Sequence, residues 1–468
     1  LLPFLNITPT RREQKRVTYN MDISKIPLKD STLLEFAHAL MAAEGDSFRD
    51  NYINNFFGDT KKRTSINSEA ISPYEHRKIQ AIWQEFFNKE EWTLTEQCDF
   101  SYTAKTPVVK FDIETSPDEY IKGYREGCLF YKKGRSKLCV QIVRNPGREE
   151  YSYIITTSET DSKLLQDLKK YASENNLYKG KKIDCRGNFL KLDNVSWEDI
   201  ILPEKTKQVV RSNIEENFAL RETFKKYGLS VKRGIILHGV PGTGKTKICK
   251  CLARESGYSV LYALPSDFPN PNSISRVCEI AKDLAPCLLI IEDIDWIASD
   301  RAKGGSAFVM ELMNKLDGLE SFGDIITLGT TNALGELENA IKNRPGRFDR
   351  IISVDKPDEE CRAKMLLKFT DKFVVSKAVD FKKLASVTRG LTGAHMNDLC
   401  LTAAIFAVKD SSFEGEKLLL EKKHFDKAIK ETKDKDYSTY MEQQSKNKAI
   451  GFAQMQNPLF GDFLDDDF

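Results

Sequence analysis

The strongest chemical signal lies in eight consecutive residues, Gly239-Val240-Pro241-Gly242-Thr243-Gly244-Lys245-Thr246. They fit the pattern G-x-x-x-x-G-K-[ST], and an apolar run, Gly234 to His238, leads into them. Glycines at 239, 242 and 244 let a backbone curl so that its N–H groups converge on phosphate oxygens, with Pro241 and Thr243 within the curl. The helix expected over Thr246 to Ser256 would add roughly half a positive charge at its N-terminus. In such a loop Lys245 reaches the β- and γ-phosphates of ATP, Thr246 holds Mg²⁺ through its hydroxyl, and Lys247 follows beside them. A second signal is the apolar run Cys287 to Ile291, which ends in Glu292-Asp293. In an open parallel sheet such a strand end faces the ligand. One carboxylate there would bind a Mg²⁺-bound water and the other would orient the attacking water.

These residues need a scaffold, and the hydrophobic pattern indicates one. After Gly187 helical and strand patterns alternate, with strands expected at Ser259 to Leu264, Cys287 to Glu292, Asp324 to Thr330 and Arg350 to Val354. That order implies α/β architecture, a parallel sheet flanked by helices. From about 358 to 433 only helical patterns follow, which predicts an all-α module. Upstream, helices are expected over Ser31 to Ala43, from Ser72 through Phe86, and over Ser162 to Ala172. Strands are expected at Pro107 to Ile113, Cys128 to Lys133, Leu138 to Arg144 and Tyr151 to Thr157. The expected division is an extended arm (1–30), an α+β N-terminal domain (31–190), a large α/β subdomain (191–357), a helical lid (358–433) and a polar, acidic tail (434–468).

Composition bounds the partners. The 468 residues carry 71 Lys+Arg and 69 Asp+Glu, a net charge of +2, with 40% hydrophobic and 30% charged residues. This is a globular composition, and its near-zero charge argues against a nucleic-acid partner. Lys61-Lys62-Arg63 and Lys179-Gly180-Lys181-Lys182 are local exceptions that read as solvated surface. No apolar stretch approaches the roughly 18 residues of a membrane span. Leu1 to Leu5 is too short for a signal peptide. The ten cysteines form no C-x-x-C pair and stand beside no His cluster, so a reduced, cytoplasmic protein without structural zinc is expected.

Together with four further segments, these motifs resemble the AAA family of ring-forming ATPases. Trp197-Glu198-Asp199-Ile200 is similar to the family's entry segment, where Asp199 and Ile200 would lie against the adenine. Ile326 to Asn332 resembles its fourth strand, with Asn332 as polar sensor. Arg344-Pro345-Gly346-Arg347-Phe348-Asp349-Arg350 resembles the segment whose two arginines, here Arg344 and Arg347, act on the ATP of the neighbouring subunit. Leu391 to Leu399 resembles the start of the lid helix, where Gly393 and Ala394 pack near base and ribose. The resemblance covers about residues 195–430. It implies a P-loop NTPase fold, ATP hydrolysis with Mg²⁺, and a hexameric homo-oligomer that remodels, unfolds or chaperones a protein partner bound through the N-terminal domain.

Three features depart from the family. The acidic pair is Glu-Asp, similar to the branch of the mitochondrial Rieske-protein assembly ATPase, where the family more often has Asp-Glu. By position Glu292 takes the metal and Asp293 the water. The stretch Pro265 to Asn272 lacks the glycine of a substrate-gripping pore loop and leaves Phe268 as the one aromatic candidate, with a buried anchor as the competing reading. His395 stands where the family commonly has Asp, and reads as a helix-face residue. The altered pore stretch favours an alternative function, an ATP-gated assembly factor that threads nothing; a nucleic-acid remodeller is the third reading.

Overall fold

The computed structural model describes residues 48–58, 64–100, 104–116, 119–145, 147, 150–158, 163–228, 233–269, 272–299, 324–335, 350–414 and 417–434. The expected arm, the helix at Ser31 to Ala43, Lys61 to Arg63, Arg344, Arg347 and the tail beyond 434 lie outside them.

The centre of the fold is a six-stranded sheet. Its strands are β8 (Lys182–Asp184), β9 (Arg233–His238), β10 (Ser259–Ala263), β11 (Cys287–Ile291), β12 (Ile325–Thr331) and β13 (Arg350–Ser353), in the order β13-β9-β12-β11-β10-β8. All five pairings are parallel. Every residue of β10, β11 and β12 is buried, which explains their continuous apolar runs: both sheet faces are covered. Alternate residues serve the two faces. Leu261, Ala263, Leu289 and Ile291 pack into one cluster with α5 (Asn272–Asp283). Val260, Tyr262, Leu288 and Ile290 pack into the other with α4 (Lys245–Glu255). Because β9 lies between β12 and β13, the chain leaves neighbouring strands in opposite directions. The crevice beyond that point is where open α/β sheets bind ligands.

The strands expected in this sheet recur within a few residues, but β8 falls before the anticipated boundary at 190. Lys182 to Asp184 pair with Val260 to Tyr262, so this segment extends the parallel sheet. Three residues are too few to show a period.

Upstream, an antiparallel sheet contains β1 (Thr64–Asn67), β2 (Thr93–Phe100), β3 (Lys105–Thr106), β4 (Val109–Ser116), β5 (Glu119–Lys133), β6 (Ser136–Asn145) and β7 (Glu150–Thr157). Its apolar face packs on α1 (Pro73–Lys89) and α2 (Leu164–Glu174), with Trp83, Phe87, Tyr131 and Tyr153 in the core. Ser72 caps α1 by accepting from Glu75 N, and Pro73 opens the helix. This layer is tied to the parallel sheet through Asp283 at the end of α5. Asp283 Oδ2 accepts from Lys78 Nζ (2.7 Å), Tyr74 Oη (2.8 Å) and Asn176 Nδ2 (2.9 Å). Arg276 and Glu150 form a second ion pair at 2.9 Å.

The C-terminal module is not purely helical, which corrects the all-α expectation. It holds α7 (Glu359–Phe369), α8 (Phe381–Val387), α9 (Gly393–Lys409) and α10 (Lys422–Asp434) around Leu366, Met396, Leu399, Cys400 and Phe425. It also holds a small sheet, β14 (Val374–Val375), β15 (Phe413–Glu414) and β16 (Lys417–Leu420), in the order β14-β16-β15. Strands of two to four residues leave too little alternation to read. No helix among the described residues is long and apolar enough to cross a membrane.

His76 on α1 is 1% exposed, stacks on Tyr151 at 3.7 Å and bonds the Tyr153 hydroxyl through Nδ1 at 2.8 Å. Burial, aided by Arg77, lowers its pKa from 6.5 to about 3. Folding therefore excludes a proton that the unfolded chain accepts. The stabilisation is complete above pH 6.5 and is lost as pH falls toward 3, by about 1.4 kcal/mol per pH unit. Equilibrium unfolding of His76→Phe at several pH values should show a shallower acid slope than the unsubstituted chain; identical slopes would contradict this.

Candidate active site

The phosphate loop joins β9 to α4 and is fixed from two sides. At Gly239 a Cβ would lie 2.2 Å from the Val354 carbonyl oxygen, just past β13, so only glycine fits. Gly242 has φ +83°, and a Cβ there would meet Ala394 Cβ and Thr392 Oγ1 at 2.8 Å each. The Gly242 carbonyl accepts from Ala394 N at 3.1 Å. Gly393 stands against the same carbonyl, where a Cβ would approach to 3.3 Å. Gly393 and Ala394, expected beside the nucleotide, therefore sit on the loop itself at the start of α9. Thr392 caps that helix, and His395 completes its capping box, in line with a helix-face residue.

Lys245 is 6% exposed, and its ammonium donates to the carbonyls of Gly239 (2.7 Å) and Val240 (3.2 Å). Burial lowers its pKa; Asp293, Asp295 and Glu292 oppose the shift. Thr243 steadies the curl by donating to Val240 O at 3.0 Å. Pro241 lies in the same turn, and Gly244, at φ +103°, caps α4.

The carboxylates stand beyond β11. Glu292 continues the face of Leu288 and Ile290, toward α4. It is 7% exposed, and its Oε2 lies 3.4 Å from Thr246 Oγ1. Burial raises its pKa, Asp293 adds to the rise, and a hydrogen bond from Tyr262 opposes it. Asp293 adopts φ +47°, a left-handed conformation that Asp enters more readily than most residues. Its N–H donates to Thr330 Oγ1 at 2.9 Å, and its Oδ1 accepts from Asn332 Nδ2 at 3.3 Å. Asn332 N in turn donates to Asp295 Oδ1 at 3.1 Å. Glu292 thus faces the loop threonine, whereas Asp293 faces the expected sensor.

On the other side of the loop, Lys247 Nζ donates to the Asp199 carbonyl at 2.9 Å. The Asp199 carboxylate bonds Lys368 Nζ of α7 at 2.9 Å and accepts from Ser196 N and Oγ. These contacts, Lys368 foremost, hold its pKa far below the usual carboxylate range. Ile200 is 3% exposed. It lines a cleft of about 470 Å³ with Leu202, Pro203, Cys361, Leu367 and Lys368, between the entry segment and α7.

Sequence reasoning missed Tyr262, Thr330, Asp295, Thr392 and Lys368. Tyr262 and Thr330 lie within apolar strands, where they pass as core. Only their register beside β11 reveals them. Phe268, the aromatic pore candidate, is 7% exposed and packs with Ile274 and Ile291, so in this conformation it anchors its loop.

A glycine-lined cradle with a buried lysine, a hydroxyl at the helix start and two carboxylates at the next strand end is suited to a nucleoside triphosphate. The model of the ATPase family associated with various cellular activities (AAA) matches residues 235–356. A proteasome-activating nucleotidase of Methanocaldococcus jannaschii is 30% identical over 290 residues, which span 55% of this chain and 67% of that protein. Proteasome-activating nucleotidase 1 of Haloferax volcanii is 31% identical over 293 residues, 58% of this chain and 72% of that one. The chain belongs to the AAA family of ATPases. It binds nucleotide and is an ATP hydrolase. A putative cell division cycle ATPase of Plasmodium falciparum is also similar, 32% identical over 228 residues, 47% of this AAA chain and 18% of that protein.

Gly242→Ala places a methyl group where the lid helix already sits, at a φ that disfavours any side chain. It should cost more than about 1 kcal/mol of stability and weaken nucleotide binding at least tenfold. Thermal unfolding and fluorescent-nucleotide titration check both, and wild-type affinity would contradict the tight loop–lid contact.

Proposed function

We propose that this chain is the subunit of a homo-oligomeric ring, a hexamer, that spends ATP on remodelling, unfolding or chaperoning a protein partner. The observation that supports the proposal is that Glu292 faces Thr246 of the phosphate loop while Asp293 faces Asn332. Gly239, Pro241, Gly242, Thr243, Gly244 and Lys247 form the cradle. Lys245 exchanges its carbonyl contacts for the β- and γ-phosphates, which suit a desolvated ammonium better.

The donor set near Thr246 supports Mg²⁺. Among the described residues no group of three or more His, Cys, Asp or Glu is placed to hold a metal. Mg²⁺ needs no such cage, because it takes one or two carboxylates and completes its shell with phosphates and waters. Thr246 and Glu292 would hold it, and bound there it would neutralise charge on the phosphate oxygens. Asp293, steadied by Asn332, orients the attacking water. Asp199 and Ile200 border the base on one side, Gly393 and Ala394 on the other. Arg344 and Arg347 are assigned by family resemblance: guanidinium groups lent to the neighbour's ATP. Sites completed in trans require a ring closed by head-to-tail contacts.

The N-terminal domain expected over 31–190, whose described part carries the antiparallel layer, acts as the partner-binding domain. The ion pairs at Asp283 and Arg276 would carry motion from the ATPase module into it. All ten cysteines are buried and outside disulfide bonds, which supports a cytoplasmic location. A second reading, ATP-gated assembly without threading, draws support from the burial of Phe268.

Asp293→Asn preserves a residue type at ease with positive φ and removes the charge. ATP binding should persist within a few-fold, whereas turnover falls by about 10² or more. A partner that remains bound to this variant in ATP, and is released by the parent chain, would identify the substrate. Undiminished turnover would remove Asp293 from its role.

A further inference from the structure

The metal-side carboxylate is held by a residue that belongs to no motif. Tyr262 lies on β10, level with Ile290 of the adjoining strand. Period two puts Val260 and Tyr262 on the sheet face that also carries Leu288, Ile290 and Glu292, under α4. Tyr262 is 9% exposed, and its hydroxyl donates to Glu292 Oε1 at 2.6 Å. Thr246 Oγ1 stands near the other oxygen, Oε2. The two oxygens of one carboxylate therefore have separate partners, one from the sheet and one from the phosphate loop.

We propose that Tyr262 is a positioning residue for Mg²⁺–nucleotide binding: by occupying Oε1 it locks the Glu292 carboxylate so that Oε2 is presented on the Thr246 side. The proposal deepens the ATPase reading and rests on it. The terminal torsion of Glu is broad, so an unrestrained carboxylate samples many orientations. A short hydrogen bond to an ionised acceptor is strong and directional, and inside a dry core it selects one orientation. Hydrogen bonds to a metal-binding carboxylate govern metal affinity in this way, and losing one costs about 10- to 100-fold. A phenylalanine would fill the same apolar space beside Val260 and Ile290. What the tyrosine adds is the hydroxyl, and its partner is Glu292.

The test uses the full chain and a fluorescent, non-hydrolysable ATP analogue, with binding followed by anisotropy as Mg²⁺ is titrated. Tyr262→Phe should raise the half-saturating Mg²⁺ concentration by about tenfold or more. Its affinity for the analogue in EDTA should match that of the parent chain, which also reports an intact fold. Glu292→Gln should raise the Mg²⁺ requirement on its own, and adding Tyr262→Phe to it should change little more, because both act through one carboxylate. An unchanged Mg²⁺ midpoint in Tyr262→Phe, or fully additive effects in the double variant, would overturn the proposal and leave the ATPase reading intact. Failure of the parent chain to bind the analogue with any Mg²⁺ dependence would instead overturn the ATPase reading.

Discussion

A single close approach organises this molecule: the Gly242 carbonyl against the first residues of the lid helix. Ala394 N donates to it, a Cβ on Gly242 would meet Ala394 and Thr392 at 2.8 Å, and one on Gly393 would crowd the Gly242 carbonyl at 3.3 Å. The phosphate loop is therefore not a free turn on the sheet edge. It is clamped between the end of β13 at Val354 and the N-terminus of α9. Whatever fills the loop must act on both modules, which makes the angle between sheet and lid the natural variable for ATP to change.

The same geometry divides the electrostatics. Burial strips water from Lys245, and nearby acids partly restore its proton affinity. Burial also disfavours the charge on Glu292, and Tyr262 offsets that. Lysine and glutamate thus differ in what they hold: Lys245 rests on two backbone carbonyls that phosphates would replace in the proposed function, whereas Glu292 keeps the Tyr262 hydroxyl on Oε1 and leaves Oε2 toward Thr246. Asp293 differs. Its left-handed backbone turns the chain out of the strand direction and brings the carboxylate to Asn332. Asp is suited to that φ, which gives a physical reason for the Glu-Asp order found here.

Much of this was legible before any coordinates. The phosphate loop, the apolar runs of β9 to β12 and the acidic end of β11 announce themselves because both sheet faces are buried and the ligand end is polar. The lid start was legible through Gly393-Ala394. What could not be read was register. Tyr262 and Thr330 look like core until β10 and β12 are placed on either side of β11. Lys368 looks like any solvated helix lysine until α7 swings beside Asp199. The strands β14 and β15 are too short to carry a period, so an all-α lid was the natural but mistaken expectation; β8 is as short, and its pairing with β10 was equally hidden. Phe268 could be read as gripping or anchoring from its neighbours alone, and burial favours the anchor.

The account rests on Lys245 trading two backbone carbonyls for a triphosphate. The most direct measurement is equilibrium binding of Mg²⁺–ATP analogue to the parent chain and to Lys245→Met, an apolar replacement of similar length. Micromolar binding by the parent and a loss of at least about 100-fold in the variant, some 2.7 kcal/mol, are expected. Equal affinities in the two proteins would contradict the central claim.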